Sequence, residues 1–340
     1  MSTAALEQPK WKITGEAPLL AVSGLETRFT TPDGIVHAVN GISFTVNKGE
    51  TIGIVGESGS GKSQLLMSIM GLLPQNGTAT GSVKFAGREI LGLKRDDLNK
   101  IRGTRMAMIF QDPMTSLNPY LTVGKQLTEV LTFHQNMNEA MAREQAREIM
   151  EQVHIPEPSK RLNMYPHELS GGMRQRVMIA MGMLCRPELL FADEPTTALD
   201  VTIQAEILNL LAEQQAVTGT AIILVTHDLG VVAQLCDRVF VMYAGRLVEQ
   251  GTVRQIFYDP QHPYTRALLH SMPRLTDDVG GDLPTIGGQP PNLANLPPGC
   301  AFAERCDYCL DACLDGVPPL RNIGPERWTA CRRDGSDLTK

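Results

Sequence analysis

The stretch TIGIVGESGSGKSQLLMSIM, residues 51–70, decides the fold class of this chain. It begins with a short run rich in β-branched residues, which predicts a buried strand, and it ends in residues that favour a helix. Between them, GESGSGKS at residues 56–63 matches G-x-x-x-x-G-K-[ST], the pattern of a phosphate-binding loop set between a strand and a helix. A glycine-rich loop that matched the pattern by chance would rarely lie between a strand and a helix. The stretch therefore predicts an α/β fold that binds a nucleoside triphosphate.

The residue types of this loop suit phosphate chemistry. Its glycines let successive backbone N–H groups turn toward phosphate oxygens, Lys62 adds a positive charge for the β- and γ-phosphates, and the Ser63 hydroxyl can reach Mg²⁺. We expect the nucleotide to contact the whole loop and the residue after it, namely Gly56, Glu57, Ser58, Gly59, Ser60, Gly61, Lys62, Ser63 and Gln64.

Three polar residues follow two further apolar runs. Asp193 and Glu194 end the run LLFADE, and His227 ends the run ILVTH. Asp193 is placed to hold Mg²⁺, Glu194 can act as a general base or orient the attacking water, and His227 can donate to the γ-phosphate. Two adjacent acids at a buried strand end are costly without a cation, so the pattern favours a hydrolytic site over an exposed acidic turn.

Apolar patterning predicts how these motifs are connected. Short β-branched or apolar runs predict strands at residues 19–30, 36–46, 51–56, 189–193 and 220–227. Residues 121–155 have helical spacing and predict a helical insertion, and the helical segment 201–217 completes a βαβ unit. Residues 238–251 predict a hairpin that turns at Ala244-Gly245, and a connector rich in proline and glycine follows Met272.

Composition limits the possible functions. The 340 residues have room for about two domains, and 20% charged with 42% hydrophobic residues is a globular composition. A net charge of −6 argues against a broad nucleic-acid surface. Because neither a signal peptide nor a run of about 18 apolar residues is present, we expect a cytosolic protein, in which clustered cysteines favour a metal or redox role over disulfides.

The octapeptide LSGGMRQR, Leu169–Arg176, resembles the signature motif of ATP-binding cassette (ABC) proteins and precedes Asp193 at that family's spacing. The resemblance extends over about residues 19–251. It implies that Phe29 stacks on adenine, that Gln111 is the Q-loop residue, that Ala198-Leu199-Asp200 is the D-loop and that His227 is the switch histidine. The implied catalytic residues are Glu194, His227 and Gln111, and the implied Mg²⁺ ligands are Ser63, Gln111 and Asp193.

The same resemblance implies an architecture and a mechanism. A parallel sheet core like that of RecA carries an antiparallel β subdomain and a helical subdomain at about residues 113–187. Two cassettes close head to tail, and Ser170, Gly171 and Gly172 of one complete the γ-phosphate cage of the other, because helix-terminal N–H groups bind anions. ATP joins the cassettes, and hydrolysis releases them.

The C-terminal extension resembles that of the oligopeptide and dipeptide permease ATPases, most closely the first of their two ATPase subunits. The similar segments are HPYTRALLHSMPRL from His262 and the pattern G-C-x-F-x-x-R-C from Gly299. This predicts a tail at residues 1–18, a cassette at 19–255 and an extension at 256–340. It implies a peripheral ATPase on the inner face of a bacterial cytoplasmic membrane that powers peptide import.

The implied partners are a second, non-identical ATPase, two transmembrane permease subunits and, indirectly, an extracytoplasmic peptide-binding protein, with no nucleic acid. Two alternatives stay open: a soluble ABC ATPase that remodels ribosomes or DNA, and an importer of another cargo such as a nickel chelate. The absence of a second cassette and of long coiled coils in the 340 residues favours the peptide importer.

Five of the seven cysteines lie near the C-terminus. The resemblance implies four ligands of a structural [4Fe–4S] cluster, Cys300, Cys306, Cys313 and Cys331, with Zn²⁺ as the alternative. Cys309 departs from the family pattern, because Cys306-x-x-Cys309 could itself be a ligand pair. A metal would replace the core that so small an extension cannot build.

Overall fold

The computed structural model describes residues 17–112, 116–196, 200–271 and 286–338. The strands are β1 (Leu20–Thr31), β2 (Gly34–Val46), β3 (Thr51–Val55), β4 (Gly77–Phe85), β5 (Arg88–Glu89), β6 (Met106–Ile109), β7 (Leu189–Asp193), β8 (Ala221–Val225), β9 (Arg238–Tyr243), β10 (Arg246–Thr252), β11 (Arg321–Gly324) and β12 (Arg327–Thr329).

The α-helices are α1 (Lys62–Met70), α2 (Arg95–Asn99), α3 (Val123–Gln135), α4 (Glu139–Gln152), α5 (Pro158–Arg161), α6 (Gly171–Met183), α7 (Val201–Thr218), α8 (Leu229–Leu235), α9 (Val253–Tyr258) and α10 (Pro263–His270). Single 3₁₀ turns lie at Pro166–Glu168, Ala303–Arg305, Asp311–Cys313 and Gly335–Leu338. Among the described residues, no helix is both long enough and apolar enough to cross a bilayer.

The chain forms two compact units. Within the described residues, the first unit contains 17–46, 52–91, 226–271 and 286–338, and the second contains 47–51, 92–112, 116–196 and 200–225. The predicted division into a tail, a cassette and an extension stays a prediction, as do the bounds of the helical subdomain.

An antiparallel sheet with the strand order β2-β1-β4-β5 occupies the N-terminal part of the first unit. Side chains alternate along β1, so Leu20, Val22 and Leu25 are buried in the core while their neighbours are less covered. This alternation is typical of a sheet that has one face on the core. The prediction of strands at the start of the chain is confirmed.

A second group of strands in the first unit carries the phosphate-binding loop. β3 pairs in parallel with β9, β9 pairs antiparallel with β10, and β12 joins β10 to β11. The predicted hairpin is confirmed, because Tyr243 pairs with Arg246 across Ala244 and Gly245. Both turn residues have positive φ, 46° and 76°, as a two-residue hairpin turn requires.

The second unit contains the parallel strands β6, β7 and β8 in the order β8-β7-β6. Every residue of β7 and β8 is buried, which explains their nearly continuous apolar sequences. α7 connects these two strands, so the predicted βαβ unit is confirmed. The predicted helical insertion is also present, as α3 and α4 separated by a turn at Asn136, where φ is 51°.

Candidate active site

The phosphate-binding loop, Gly56–Ser63, connects β3 to α1 in the first unit, and α1 begins at Lys62. Its glycines are required by their surroundings. A Cβ at Gly56, where φ is 153°, would clash with the Met242 carbonyl oxygen, and one at Gly61, where φ is 97°, would clash with that of Ala38. The backbone therefore makes a tight cradle that only glycine can line at these two positions.

Lys62 folds back over this cradle. Lys62 is buried, and its Nζ donates to the carbonyl oxygens of Gly56 at 2.7 Å and Glu57 at 3.0 Å. Within the part of the chain that the structure describes, the buried Ser60 Oγ has no hydrogen-bond partner. A narrow glycine cradle, a lysine ammonium and the N-terminus of α1 together fit a polyphosphate that carries Mg²⁺.

The predicted nucleotide contacts at residues 56–64 run from the loop into the first turn of α1. Ser58 and Gly59 are exposed at the tip of the loop, while Ser63 and Gln64 lie in the first turn of α1. Phe29 lies on β1 of the same unit, paired with Val36. His227 is exposed just after β8. The contact of Phe29 with adenine stays a prediction, as does the contact of His227 with the γ-phosphate.

The acidic residues lie in the second unit, at the carboxyl end of β7. Asp193 is buried as the last residue of the strand, and Glu194 follows it with φ at 46°. A positive φ is unfavourable for glutamate, and the conformation is held by the Glu194 N–H, which donates to the Val225 carbonyl oxygen at 2.8 Å.

Gln111 lies two residues after the neighbouring strand β6, and its Nε2 donates to Glu194 Oε2 at 3.0 Å. The structure thus brings together two of the three predicted catalytic residues. The amide fixes the orientation of a carboxylate that can act as a general base toward water. The Mg²⁺ ligands Ser63, Gln111 and Asp193 stay a prediction.

The signature motif begins α6 in the second unit. Ser170 caps this helix by accepting a hydrogen bond from the Met173 N–H at 3.3 Å, and Gly171 is its first residue. A Cβ on Gly172 would come within 3.0 Å of the Ile203 side chain, so a small residue suits the close packing of α6 on α7. Gln175 in the same motif donates to the Pro195 carbonyl oxygen, one residue after Glu194.

The predicted D-loop is only partly described. Ala198 and Leu199 lie outside the described residues. The Asp200 carboxylate caps α7 by accepting from the Ile203 N–H at 3.0 Å. This cap accounts for an aspartate at this position, and a contact of Asp200 with nucleotide stays a prediction.

The predicted metal centre of the extension is wrong. Among the described residues, which include all five cysteines, no three histidine, cysteine or acidic side chains are arranged to hold a metal ion. This finding overturns the expectation of a [4Fe–4S] cluster on Cys300, Cys306, Cys313 and Cys331, and equally that of Zn²⁺. Burial raises the pKa of the Cys306 thiol to about 11, so in this structure the thiol is protonated at neutral pH.

An aromatic core holds the extension instead of a metal. Phe302 packs edge-on against Tyr243, with ring centroids 5.3 Å apart, and against Tyr264 at 5.4 Å. All three rings are almost fully buried. This core was not predicted from the sequence. The pattern G-C-x-F-x-x-R-C was interpreted as a set of metal ligands, whereas its phenylalanine is the residue that packs.

The arginine of that pattern was missed as well. Arg305 reaches the phosphate-binding loop and donates to both carboxylate oxygens of Glu57, at 2.7 and 2.9 Å. Tyr264 contacts the same loop residue, because its hydroxyl accepts the Glu57 N–H at 2.8 Å. Both segments, HPYTRALLH and the cysteine pattern, stand out in the sequence. Their contacts with Glu57 are not predictable from it, because they join residues more than 200 positions apart.

Comparison with known proteins agrees with this geometry. A family profile described as "ABC transporter" matches residues 39–197, and one described as "Oligopeptide/dipeptide transporter, C-terminal region" matches residues 248–313. Among solved structures, the ATP-binding cassette MJ0796 bound to ADP and Pi is similar with a TM-score of 0.63 and 29% identity. The match covers 69% of this chain and 99% of that one.

Curated relatives match over nearly the whole length. The oligopeptide transport ATP-binding protein OppD of Salmonella typhimurium is 56% identical over 94% of this chain and 95% of its own length. The dipeptide transport ATP-binding protein DppD of Bacillus subtilis is 52% identical over 92% of this chain and 93% of its own. The sheet-bound phosphate loop, the signature helix and these full-length matches agree, and the chain is an ABC ATPase that belongs to the oligopeptide/dipeptide transporter family.

Proposed function

We propose that this chain binds and hydrolyses ATP to power the import of peptides across a bacterial cytoplasmic membrane. The observation that carries the proposal is the full-length similarity to oligopeptide and dipeptide transport ATP-binding proteins, at 56% identity over 94% of the chain for the first of them. The matched C-terminal region supports a peptide transporter in particular, because it lies outside the ABC profile.

The chain's own residues account for the chemistry. The glycine cradle and Lys62 bind the phosphates, and ATP with Mg²⁺ supplies the bond that is cleaved. Gln111 holds Glu194 by the 3.0 Å hydrogen bond, and the carboxylate placed in this way orients a water molecule and takes its proton. Asp193, buried at the strand end, is the proposed Mg²⁺ ligand.

The partner is a second, non-identical ATPase that closes head to tail on this one. Ser170, Gly171 and Gly172 lie at the N-terminus of a 13-residue helix, where backbone N–H groups and the helix dipole favour an anion. In the assembly they complete the γ-phosphate site of the partner. Two transmembrane permease subunits and an extracytoplasmic peptide-binding protein complete the importer, and the chain works at the cytoplasmic face of the membrane.

The test is the substitution Glu194→Gln in the transporter assembled with its permease subunits in proteoliposomes. Removal of the general base should lower hydrolysis at this site by about 10²–10⁴-fold while ATP binding is retained. Glu213→Gln is the matched control, because Glu213 is an exposed acid on α7. Hydrolysis by Glu194→Gln at the wild-type rate would contradict the role of this residue.

Transport itself decides the cargo. Vesicles that contain the transporter and its binding protein should take up short radiolabelled peptides only when ATP is supplied. Uptake of a nickel chelate in place of peptides, or co-sedimentation of the chain with ribosomes rather than with membranes that contain the permease, would contradict the proposal.

A further inference from the structure

Glu57, the second residue of the phosphate-binding loop, is held by three separate groups. Its N–H donates to the Tyr264 hydroxyl at 2.8 Å, its carbonyl oxygen accepts from Lys62 Nζ at 3.0 Å, and its carboxylate receives both terminal nitrogens of Arg305. Two of these groups come from the C-terminal part of the chain. The loop conformation therefore depends on residues more than 200 positions away.

Arg305 is itself fixed in place. Its side chain is only 4% exposed, and besides the two bonds to Glu57 it donates to the Gly287 carbonyl oxygen at 2.8 Å and to the Tyr243 hydroxyl at 3.1 Å. The guanidinium also lies 5.7 Å from the centre of the Phe302 ring. These contacts restrict the planar guanidinium of Arg305 to one orientation, so it is a rigid support for Glu57.

The charge of Glu57 makes this support matter for nucleotide binding. An acid beside a phosphate site repels the ligand unless its charge is compensated, and the repulsion is strong where water is excluded. The bidentate Arg305 fork neutralises the carboxylate and also directs both of its oxygens toward the extension. Pairing with Glu57 also raises the pKa of Arg305, which therefore stays charged at every accessible pH.

We propose that Arg305 and Tyr264 are positioning residues for the nucleoside triphosphate: they hold Glu57 so that the loop is preset for phosphate. Through them, ATP affinity depends on the C-terminal extension being folded against the loop. The inference rests on the ATP site of the proposed function and is independent of its cargo.

The same contacts could instead serve only to stabilise the extension. The two roles differ in what Glu57 contributes. If Arg305 acts by compensating Glu57, its removal should matter only while the Glu57 carboxylate is present. If it acts only on stability, its removal should lower thermal stability and leave the affinity of the folded protein for nucleotide unchanged in both backgrounds.

The experiment measures the Kd of the full chain for a fluorescent ATP analogue with Mg²⁺, together with thermal unfolding, for Arg305→Gln, Glu57→Gln and the double variant. Arg305→Gln should raise Kd about tenfold, whereas in the Glu57→Gln background the same change should alter Kd by less than about twofold. Arg305→Lys, which keeps the charge without the fork, should give an intermediate Kd.

Two further variants keep the test independent of folding. Arg321→Gln is the matched control, because Arg321 donates to the carbonyl oxygens of Cys331 and Arg333 within the extension, and this change should leave Kd unaltered. Tyr264→Phe keeps the ring in the aromatic core but removes the acceptor of the Glu57 N–H. It should raise Kd about threefold even if Arg305→Gln does not fold.

The inference would be overturned if Arg305→Gln and Tyr264→Phe both have a Kd within twofold of the wild type. It would also be overturned if Arg305→Gln lowers the affinity equally with and without the Glu57 carboxylate. Either result would leave the proposed function intact. Failure of the wild-type chain to bind the analogue at all would instead overturn the proposed function together with the inference.

Discussion

The phosphate-binding loop and the cysteine-rich segment at residues 300–331 belong to the same compact unit but are held by different means. The backbone of the loop is shaped by glycines that fit against neighbouring carbonyl groups and by a lysine folded back on the chain, while Arg305 and Tyr264 hold Glu57. The cysteine-rich segment has little regular structure. Its carbonyl groups are satisfied by arginines, which donate to Cys331, Arg333, Tyr308, Gly316 and Gly335.

This difference shows two solutions to the same requirement, that buried backbone groups need partners. In the loop the backbone itself is functional, so at Gly56 and Gly61 there is no room for a side chain. In the cysteine-rich segment the long side chains replace secondary structure, because a guanidinium offers five donors in a fixed fork. Arginines and aromatic rings thus do there what a metal centre was expected to do.

The largest expected effect on nucleotide affinity concerns the loop. Gly61→Ala places a Cβ against the Ala38 carbonyl oxygen and should lower the affinity for ATP by about 100-fold, because a displaced loop misplaces every phosphate contact. Gly59→Ala is the matched variant. It also has positive φ, 78°, but its Cβ would meet no atom within 4 Å. Titration with a fluorescent ATP analogue measures the two affinities. If Gly61→Ala and Gly59→Ala lose the same affinity, the role of the loop backbone as a tight phosphate cradle is contradicted.

The next effect concerns the aromatic core of the extension. Phe302→Ala removes a ring that is 2% exposed and should lower the free energy of unfolding by about 3–5 kcal/mol. Tyr258→Ala, which removes a ring that is 84% exposed, should change it by less than about 0.5 kcal/mol. Denaturant unfolding checks both. A small effect of Phe302→Ala would mean that the arginines alone hold the segment.

A pH-dependent effect comes from Glu249 on β10, which is fully buried. Burial raises the pKa of this carboxyl to about 7. The hydrogen bonds donated by the Gln261 and His262 N–H groups and the charge of Arg327 lower the pKa, but burial has the larger effect. Because the folded state holds the proton more tightly than the unfolded state, stability should fall as pH rises from about 4.5 to about 7, by about 3 kcal/mol.

Glu249→Gln should remove this slope, so the difference in unfolding free energy between wild type and variant should itself change over that pH range. The variant loses one acceptor, since the two carboxylate oxygens accept different N–H groups, and its overall stability is therefore lower. Urea unfolding at several pH values measures the slope. A constant difference between the two proteins would contradict a raised pKa.

The smallest effect is expected at the thiols. Cys309 is exposed, so Cys309→Ser should change the free energy of unfolding by less than about 0.5 kcal/mol. Cys313 is buried, and Cys313→Ser should cost about 1–2 kcal/mol, because a hydroxyl is harder to desolvate than a thiol. Thermal unfolding of the two variants checks the order, and a large loss for Cys309→Ser would show that this thiol has a structural role.

Sequence patterns were reliable where local chemistry alone determines the structure. The strand-loop-helix segment around Lys62, the turn at Ala244-Gly245 and the adjacent acids Asp193 and Glu194 were each predicted from a few neighbouring residues. The contact between Glu57 and Arg305 joins residues 248 positions apart, and no local pattern encodes it. The cysteine prediction was wrong because spacing along the chain does not determine whether thiols are arranged to hold a metal ion.

The short hairpin of β11 and β12 has a consequence for the solubility of the nascent and the truncated chain. β12 pairs with β10 at Glu249 and Gln250, so it covers backbone groups that would otherwise form an open sheet edge. Open edges are templates for intermolecular strand pairing, whereas the new edge, β11, is only four residues long and carries Arg321. A chain cut before residue 321 would expose the β10 edge, and it should aggregate even though its ATP-binding loop is complete.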